Sequence, residues 1–172
     1  MKKKNSVYRL TLLSLLIAVA MLLSYIEHLL PSFVPIPGVK LGLANVATVF
    51  ALYILGLRFA ASVSLVRIVL SSLLFGNALG LIYALSGAAL ALLGMCLLKK
   101  MHLFSEVGVS VVGGVFHNVG QIIAAATVMK TASLVIVYLP VLLVSGTVAG
   151  IAIGIASGLV IRSLKNKIFK II

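Results

Sequence analysis

Acidic residues are nearly absent from this sequence. Only two of the 172 residues are aspartate or glutamate, and these are Glu27 and Glu106. A protein magnesium site usually draws on one or more carboxylates together with substrate phosphates. Two glutamates that we assign to opposite sides of a membrane cannot form a carboxylate cluster. The chain alone is therefore excluded from the enzymes that depend on such a cluster.

Cysteine is scarce as well. Cys96 is the only cysteine, so no internal disulfide can form, and no Cys/His spacing indicates a metal site. The sequence also lacks a Walker lysine motif, a nucleophile elbow and an HExxH motif. We therefore predict no catalytic residue, no metal site and no cofactor in this chain.

Apolar residues dominate the sequence. They make up 63% of the chain against 9% charged residues, and the mean hydropathy is +1.32. Soluble domains carry about 25% charged residues, so these values predict an integral membrane protein. The N-terminal apolar run is longer than the core of a signal peptide, and no A-x-A cleavage site follows it. We therefore expect this run to be retained as the first span.

Turn residues and charges divide the chain into six predicted transmembrane helices within one domain, residues 1–172. The first span stops at the segment "PSFVPIPG", whose three prolines forbid a continuous helix. The later boundaries follow from "GLR", "FGN" and "KKMH". The predicted spans of this all-α bundle cover residues 8–30, 39–57, 59–75, 78–98, 107–128 and 133–162.

The basic residues predict the orientation of the spans. The net charge is +12, but most basic residues lie at the ends of apolar runs and form no aromatic-interleaved stripe, which argues against a nucleic-acid partner. With both termini in the cytoplasm, all of the 14 basic residues except Lys40, Arg67 and Lys130 fall on the cytoplasmic side. This bias follows the positive-inside rule and predicts a protein embedded in the lipid bilayer with both termini in the cytoplasm.

A few polar residues fall deep inside predicted spans. Arg67 lies nine residues beyond Arg58, roughly 13 Å into the membrane at about 1.5 Å per residue. His117 falls at a similar depth on the fifth span. Gln121 shares a face with His117, and Asn118 is three residues from Gln121. A mid-membrane arginine costs at least about 2.5 kcal/mol, so we expect Arg67 to face the bundle interior or a water-filled cavity.

Further polar residues gather towards the outer half of the spans. Glu27 ends the first span, while Lys40 and Asn45 open the second. Asn77 and Tyr83 flank the start of the fourth span. Glu27 is placed to pair with Lys40 or, if the first and third spans are neighbours, with Arg67.

Two explanations remain open for these polar residues. His117, Asn118 and Gln121 are also the residue types that join helices by interhelical hydrogen bonds. An Arg67–Glu27 pair could likewise serve only packing. Because we expect all of these residues to point towards one outward-opening region, we favour a ligand cavity. Glu106 lies at the cytoplasmic start of the fifth span, where a carboxylate suits a helix N-terminus, and we predict a structural role for it.

Small residues recur at every fourth position of the sixth span and predict close helix packing. Ser14 and Ala18 form a shorter pair of the same kind on the first span. The residues of the longer ridge are Gly146, Gly150, Gly154 and Gly158.

Several stretches together resemble a known family. They include "LLSYIEHLLP", "PGVKLGLAN", "LVRIVLSSLLFG" and "GGVFHNVGQIIAAA", which occur in the order of the Gx transporter family. That family is also called heptaprenyl diphosphate synthase component I. It is in turn similar to the substrate-binding S components of energy-coupling factor (ECF) transporters, which are six-helix proteins with both termini inside.

The resemblance implies a bacterial cytoplasmic-membrane protein that captures its substrate in an outward-facing pocket. A transmembrane coupling subunit and a pair of ATPases would supply the energy. The S components usually carry an Ala-xxx-Ala pair on the first helix for docking, and here Ser14 and Ala18 keep only its small-residue character.

The sequence thus predicts a non-catalytic membrane subunit that binds a small, anionic organic molecule for uptake. Vitamin-like compounds and isoprenoid or quinone precursors fit this description. The alternative is an accessory subunit of polyprenyl diphosphate or quinone biosynthesis, or of a membrane electron-transfer system. A purely structural bundle is a third possibility. The predicted substrate-binding residues are Glu27, Lys40, Asn45, Arg67, Asn77, Tyr83, His117, Asn118 and Gln121.

Overall fold

The computed structural model describes residues 2–29 and 42–169, and it shows helices without any strand in those ranges. We call the end of the bundle that the basic residues assign to the cytoplasm the inner end, and the opposite end the outer end. The helices are α1 (Lys2–Leu29), α2 (Asn45–Ile54), α3 (Leu57–Phe75), α4 (Ala78–Met101), α5 (Glu106–Met129) and α6 (Ser133–Phe169).

Five of the helices are long and apolar enough to cross a membrane, and α2 is the exception. Its 10 residues extend over about 15 Å, roughly half of the hydrocarbon thickness of a bilayer. The predicted second span over residues 39–57 is therefore represented by a shorter helix. The described residues thus support a multi-pass membrane protein with five candidate spans, and α2 is too short to count as a sixth.

Two glycines set the length of α2. Gly42 adopts a left-handed φ of 72°, and its carbonyl accepts a hydrogen bond of 2.8 Å from the Asn45 amide. This turn prevents the helix from continuing past Asn45 towards the outer end. At the other end, the amides of Leu55 and Gly56 both bond the Ala51 carbonyl, and Gly56 has a φ of 97°. That arrangement ends α2 and starts the reversal into α3.

The helices pack in two halves, α1–α3 and α4–α6. In the first half, α2 contacts both α1 and α3, and it also contacts α6 of the second half. Most residues of α2 are buried, and Ala47, Val49, Phe50, Ala51 and Leu52 expose no more than 3% of their surface. The short helix is therefore the centre of the apolar core.

Glycines allow α5 to approach both of its neighbours closely. On one side Gly113 packs against Met95 of α4, and Gly120 packs against the backbone of Ser86 and Gly87. On the side that faces α6, Gly114 lies against Gly146. A β-carbon at Gly114 or Gly120 would overlap backbone atoms of the neighbouring helix, so the spacing within α4–α6 depends on the small size of these two residues.

The glycine ridge of α6 lies along α5 for most of its length. A β-carbon at Gly150 or Gly154 would come within 2.6 Å of the α-carbon of Val111 or Val107 respectively. Gly158 differs, because nothing lies within 4 Å of a β-carbon there. Ser14 and Ala18 of α1 are exposed on the outside of the bundle.

Lys99 near the inner end of α4 holds the end of α2. Its ammonium group donates a 2.5 Å hydrogen bond to the carbonyl of Leu52 and lies 4.9 Å from the centre of the Tyr53 ring. The last carbonyls of a helix lack intrahelical partners and carry partial negative charge. Lys99 therefore satisfies one of these carbonyls from a neighbouring helix.

We expect Lys99→Met to lower the free energy of unfolding by about 1–2 kcal/mol, because it removes a charge-assisted hydrogen bond. Reversible unfolding in mixed detergent micelles, followed by circular dichroism, measures this change. Lys100→Met is the matched control, since Lys100 is exposed on the same helix turn. Equal losses in the two variants would show that Lys99 does not stabilise the end of α2.

Candidate functional site

Arg67 lies in the middle of α3 and is partly buried. One of its terminal nitrogens, Nη2, donates a hydrogen bond of 3.1 Å to Oδ1 of Asn45. Its Nε atom is buried and has no hydrogen-bond partner among the described residues. The guanidinium group therefore keeps a donor available inside the bundle.

Glu27 supplies negative charge near this arginine. It lies close to the outer end of α1 and interacts favourably with Arg67 through space. The same carboxylate accepts a hydrogen bond from the backbone amide of Gly42, in the turn that precedes α2. Glu27, Asn45 and Arg67, which we call the Arg67 cluster, thereby connect α1, α2 and α3.

A small cavity lies next to the Arg67 cluster, between the two halves of the bundle. Its volume is about 20 Å³, which corresponds to about one water molecule. Asn45, Ser110 and His117 contribute its polar lining, and Ser110 Oγ is buried without a hydrogen-bond partner in the described part of the chain. The remaining lining residues are Val49, Ala88, Ala91, Met95, Gly113, Gly114 and Ile153.

The three polar residues at the middle of α5 do not all face the same neighbour. The His117 ring and the Gln121 side chain lie against Gly87 of α4, and His117 also reaches the cavity. Asn118 instead donates a 2.7 Å hydrogen bond to the Leu142 carbonyl of α6. One residue step turns a helix by about 100°, which separates Asn118 from the face that His117 and Gln121 share.

The Asn118 contact joins two helices. Its amide nitrogen also lies 3.4 Å from Ser145 Oγ, which itself donates to the Leu142 carbonyl. Both partners are on α6, so this polar group ties α5 to α6 rather than lining the cavity. Asn118 thus makes an interhelical hydrogen bond, which was the alternative to a ligand cavity for His117, Asn118 and Gln121.

Asn77 and Tyr83, two further predicted site residues, lie apart from the cavity. Asn77 is exposed, and its side chain accepts a 2.7 Å hydrogen bond from the Gly80 amide as the N-cap of α4. Tyr83 has a buried hydroxyl without a partner among the residues described, and it does not line the cavity. Lys40 falls outside the described residues.

The outer ends of α1 and α3 carry an aromatic group that sequence analysis did not select. The His28 ring stacks on Phe75 with 5.2 Å between ring centres, and Tyr25 lies 6.0 Å from the same ring. These contacts hold α1 beside α3, close to Glu27. They therefore help to position the Arg67 cluster.

Ser110 is a further residue that sequence analysis missed. It lies seven residues before His117, a spacing that places two side chains on the same face of a helix. Gly113 and Gly114 occupy the intervening turn of that face and also line the cavity. The spacing of seven residues from His117 could thus have identified Ser110 as a cavity residue.

The polar groups of this region include donors of the kind that can bind an anion. The described residues contain no group of three or more His, Cys, Asp or Glu side chains close enough to hold a metal ion. Arg67 offers donors to a carboxylate or phosphate, and Asn45 and His117 add neutral hydrogen-bonding groups.

Comparison with known proteins gives one match. The model of the family described as heptaprenyl diphosphate synthase component I matches residues 16–160. Neither a curated protein nor a solved structure matches the chain. The matched range contains the whole Arg67 cluster and every residue that lines the cavity.

Proposed function

Because the chain belongs to the heptaprenyl diphosphate synthase component I family, we propose that it is a non-catalytic membrane subunit that binds a small anionic organic molecule. Arg67 is the residue that would hold the anionic group. The observation that carries this proposal is the buried Nε donor of Arg67, which has no partner among the described residues. Asn45 and His117 would hydrogen bond the polar part of the same ligand.

Electrostatics supports an anionic ligand. Glu27 places a negative charge near Arg67, but its carboxylate bonds the Gly42 amide, and Arg67 Nε has no partner among the described residues. A charged side chain in the middle of a membrane is destabilising unless it is paired or solvated. An anion that accepted a hydrogen bond from Nε would add both a partner and an opposite charge.

Binding would require the site to open. The cavity of about 20 Å³ is far smaller than the roughly 300–1,000 Å³ of typical ligand pockets. The contact between Glu27 and the Gly42 amide links α1 to the turn before α2, so separation of these two elements would enlarge the space beside Arg67. We propose that the structure represents the closed form of the binding site.

Uptake is the role that we propose for this binding. By resemblance to ECF S components, a transmembrane coupling subunit and two ATPases would provide the energy. Ser14 and Ala18 are exposed on α1, where small residues would let a helix of the coupling subunit approach. Copurification of the tagged chain with such a subunit and ATPase pair from its own host would test this part.

We expect Arg67→Ala to abolish retention of the bound anion. Native mass spectrometry of the detergent-purified chain from its own host measures the retained molecule and identifies its mass. Arg58→Ala is the matched control, because Arg58 is exposed at the inner end of the same helix. A co-purified anion retained equally by both variants would remove Arg67 from the site.

The second candidate function is an accessory role in polyprenyl diphosphate synthesis. The family description favours it, because "component I" implies a second synthase component. The chain itself has only two acidic residues to bind magnesium, so we propose that catalysis would reside in that second component. A bound polyprenyl phosphate and a stable complex with a soluble synthase would support this role over uptake.

A further inference from the structure

The cavity beside Asn45 has walls from both halves of the bundle. Asn45 and Val49 belong to α2, while Ser110 and His117 belong to α5. The other walls are mainly apolar side chains and glycines from α4, α5 and α6. Polar groups from opposite halves therefore face a common space in an otherwise apolar surrounding.

The buried hydroxyl of Ser110 needs a hydrogen-bond partner in this cavity. The residue exposes only 2% of its surface, and its hydroxyl has no hydrogen-bond partner among the described residues. Other buried serines can bond their own helix, as Ser157 does with a 2.6 Å hydrogen bond to the Ile153 carbonyl. A buried hydroxyl without a partner is destabilising by about 1–3 kcal/mol, so Ser110 favours a small polar molecule in the cavity.

We propose that this cavity binds one water molecule, hydrogen bonded to Ser110, Asn45 and His117. The volume of about 20 Å³ exceeds the roughly 10–15 Å³ that a single water needs, and buried waters make about three hydrogen bonds. Three polar side chains line the cavity, which matches that number. In this closed form the space is too small for an organic anion, so the water occupies it before the site opens, and the anion proposed for Arg67 would displace the water from Asn45 and His117.

The water would connect the two halves of the protein. Asn45 already accepts a hydrogen bond from Arg67, and the water extends this chain of contacts from α3 and α2 to α5. Bridging waters are nearly as favourable enthalpically as direct hydrogen bonds. The water thus holds the N-terminal turn of α2 against α5 at the middle of the membrane.

Radiolytic labelling of the full chain in nanodiscs prepared with ¹⁸O water tests the proposal. Hydroxyl radicals that form from a bound water oxidise the side chains beside it, and Met95 lines the cavity. We expect ¹⁸O incorporation at Met95 to exceed that at Met21 of α1 several-fold. Ser110→Ala removes one partner of the water and should reduce the Met95 label towards the Met21 level.

Two further variants complete the experiment. Ser157→Ala removes a buried serine whose hydroxyl bonds its own helix, and it should leave the Met95 label unchanged. Ala91→Val fills the cavity from α4 and should reduce the label while all three polar groups remain. A Met95 label equal to that of Met21 in the unaltered protein, or one insensitive to Ser110→Ala, would overturn the water site. Both results concern the closed form alone, and the Arg67→Ala measurement tests anion binding separately.

Discussion

Replacement of Gly114 by alanine is expected to lower the free energy of unfolding by about 3 kcal/mol or more. The added β-carbon would overlap the carbonyl oxygen of Gly146, and Gly150 lies next to it. Both neighbours are backbone atoms, so no side-chain rotation can relieve the overlap and α6 must move away from α5. That movement would also disturb the hydrogen bond from Asn118 to Leu142.

Gly158→Ala is the matched control for this prediction. Gly158 belongs to the same glycine ridge on α6, but a β-carbon there meets nothing within 4 Å. Alanine is a better helix former than glycine by up to about 1 kcal/mol, so this variant should be neutral or slightly stabilising. Unfolding in mixed micelles compares the two, and similar stabilities would show that α5 and α6 do not depend on the Gly114–Gly146 contact.

Glu27→Gln should lower the free energy of unfolding by about 2 kcal/mol. Glutamine keeps the size of the side chain and an oxygen for the Gly42 amide. It removes the negative charge that interacts with Arg67. The arginine is then left inside the membrane with only the neutral Asn45 as a described hydrogen-bond partner.

Glu106→Gln provides the comparison, because these are the only two acidic residues of the chain. Glu106 lies in the first turn of α5, where a negative charge at a helix N-terminus contributes about 0.3–1 kcal/mol. We therefore expect Glu106→Gln to lower the free energy of unfolding less than Glu27→Gln does. The double variant Glu27→Gln with Arg67→Met should recover part of the stability lost by Glu27→Gln alone. No recovery would show that the two charges do not interact.

The sequence predicted the helical membrane fold but not the length of α2. Residues 39–57 are almost continuously apolar, so hydropathy alone favours a full span. The helix begins only at Asn45, because Gly42 takes a left-handed conformation and bonds Glu27 from another helix. That contact is tertiary, and hydropathy along the chain carries no information about it.

The polar residues show a similar limit. Their depth along the spans could be estimated from residue counts, and the structure brings Glu27, Asn45 and Arg67 together. The direction of each side chain around its helix depends on which neighbours pack on either side. Because α5 lies between α4 and α6, the adjacent residues His117 and Asn118 contact different helices. Sequence spacing alone could not assign those neighbours.

The reduced length of α2 affects the electric field inside the membrane. Its backbone dipoles point in one direction along the helix, and the positive end lies at Asn45, beside Arg67. A helix macrodipole places roughly half an elementary charge at that end. In a helix spanning the full bilayer this partial charge would lie at the aqueous surface, where water screens it. Here it lies beside Arg67, in the middle of the candidate span α3, so the potential at Arg67 is more positive than the formal side-chain charges alone would give.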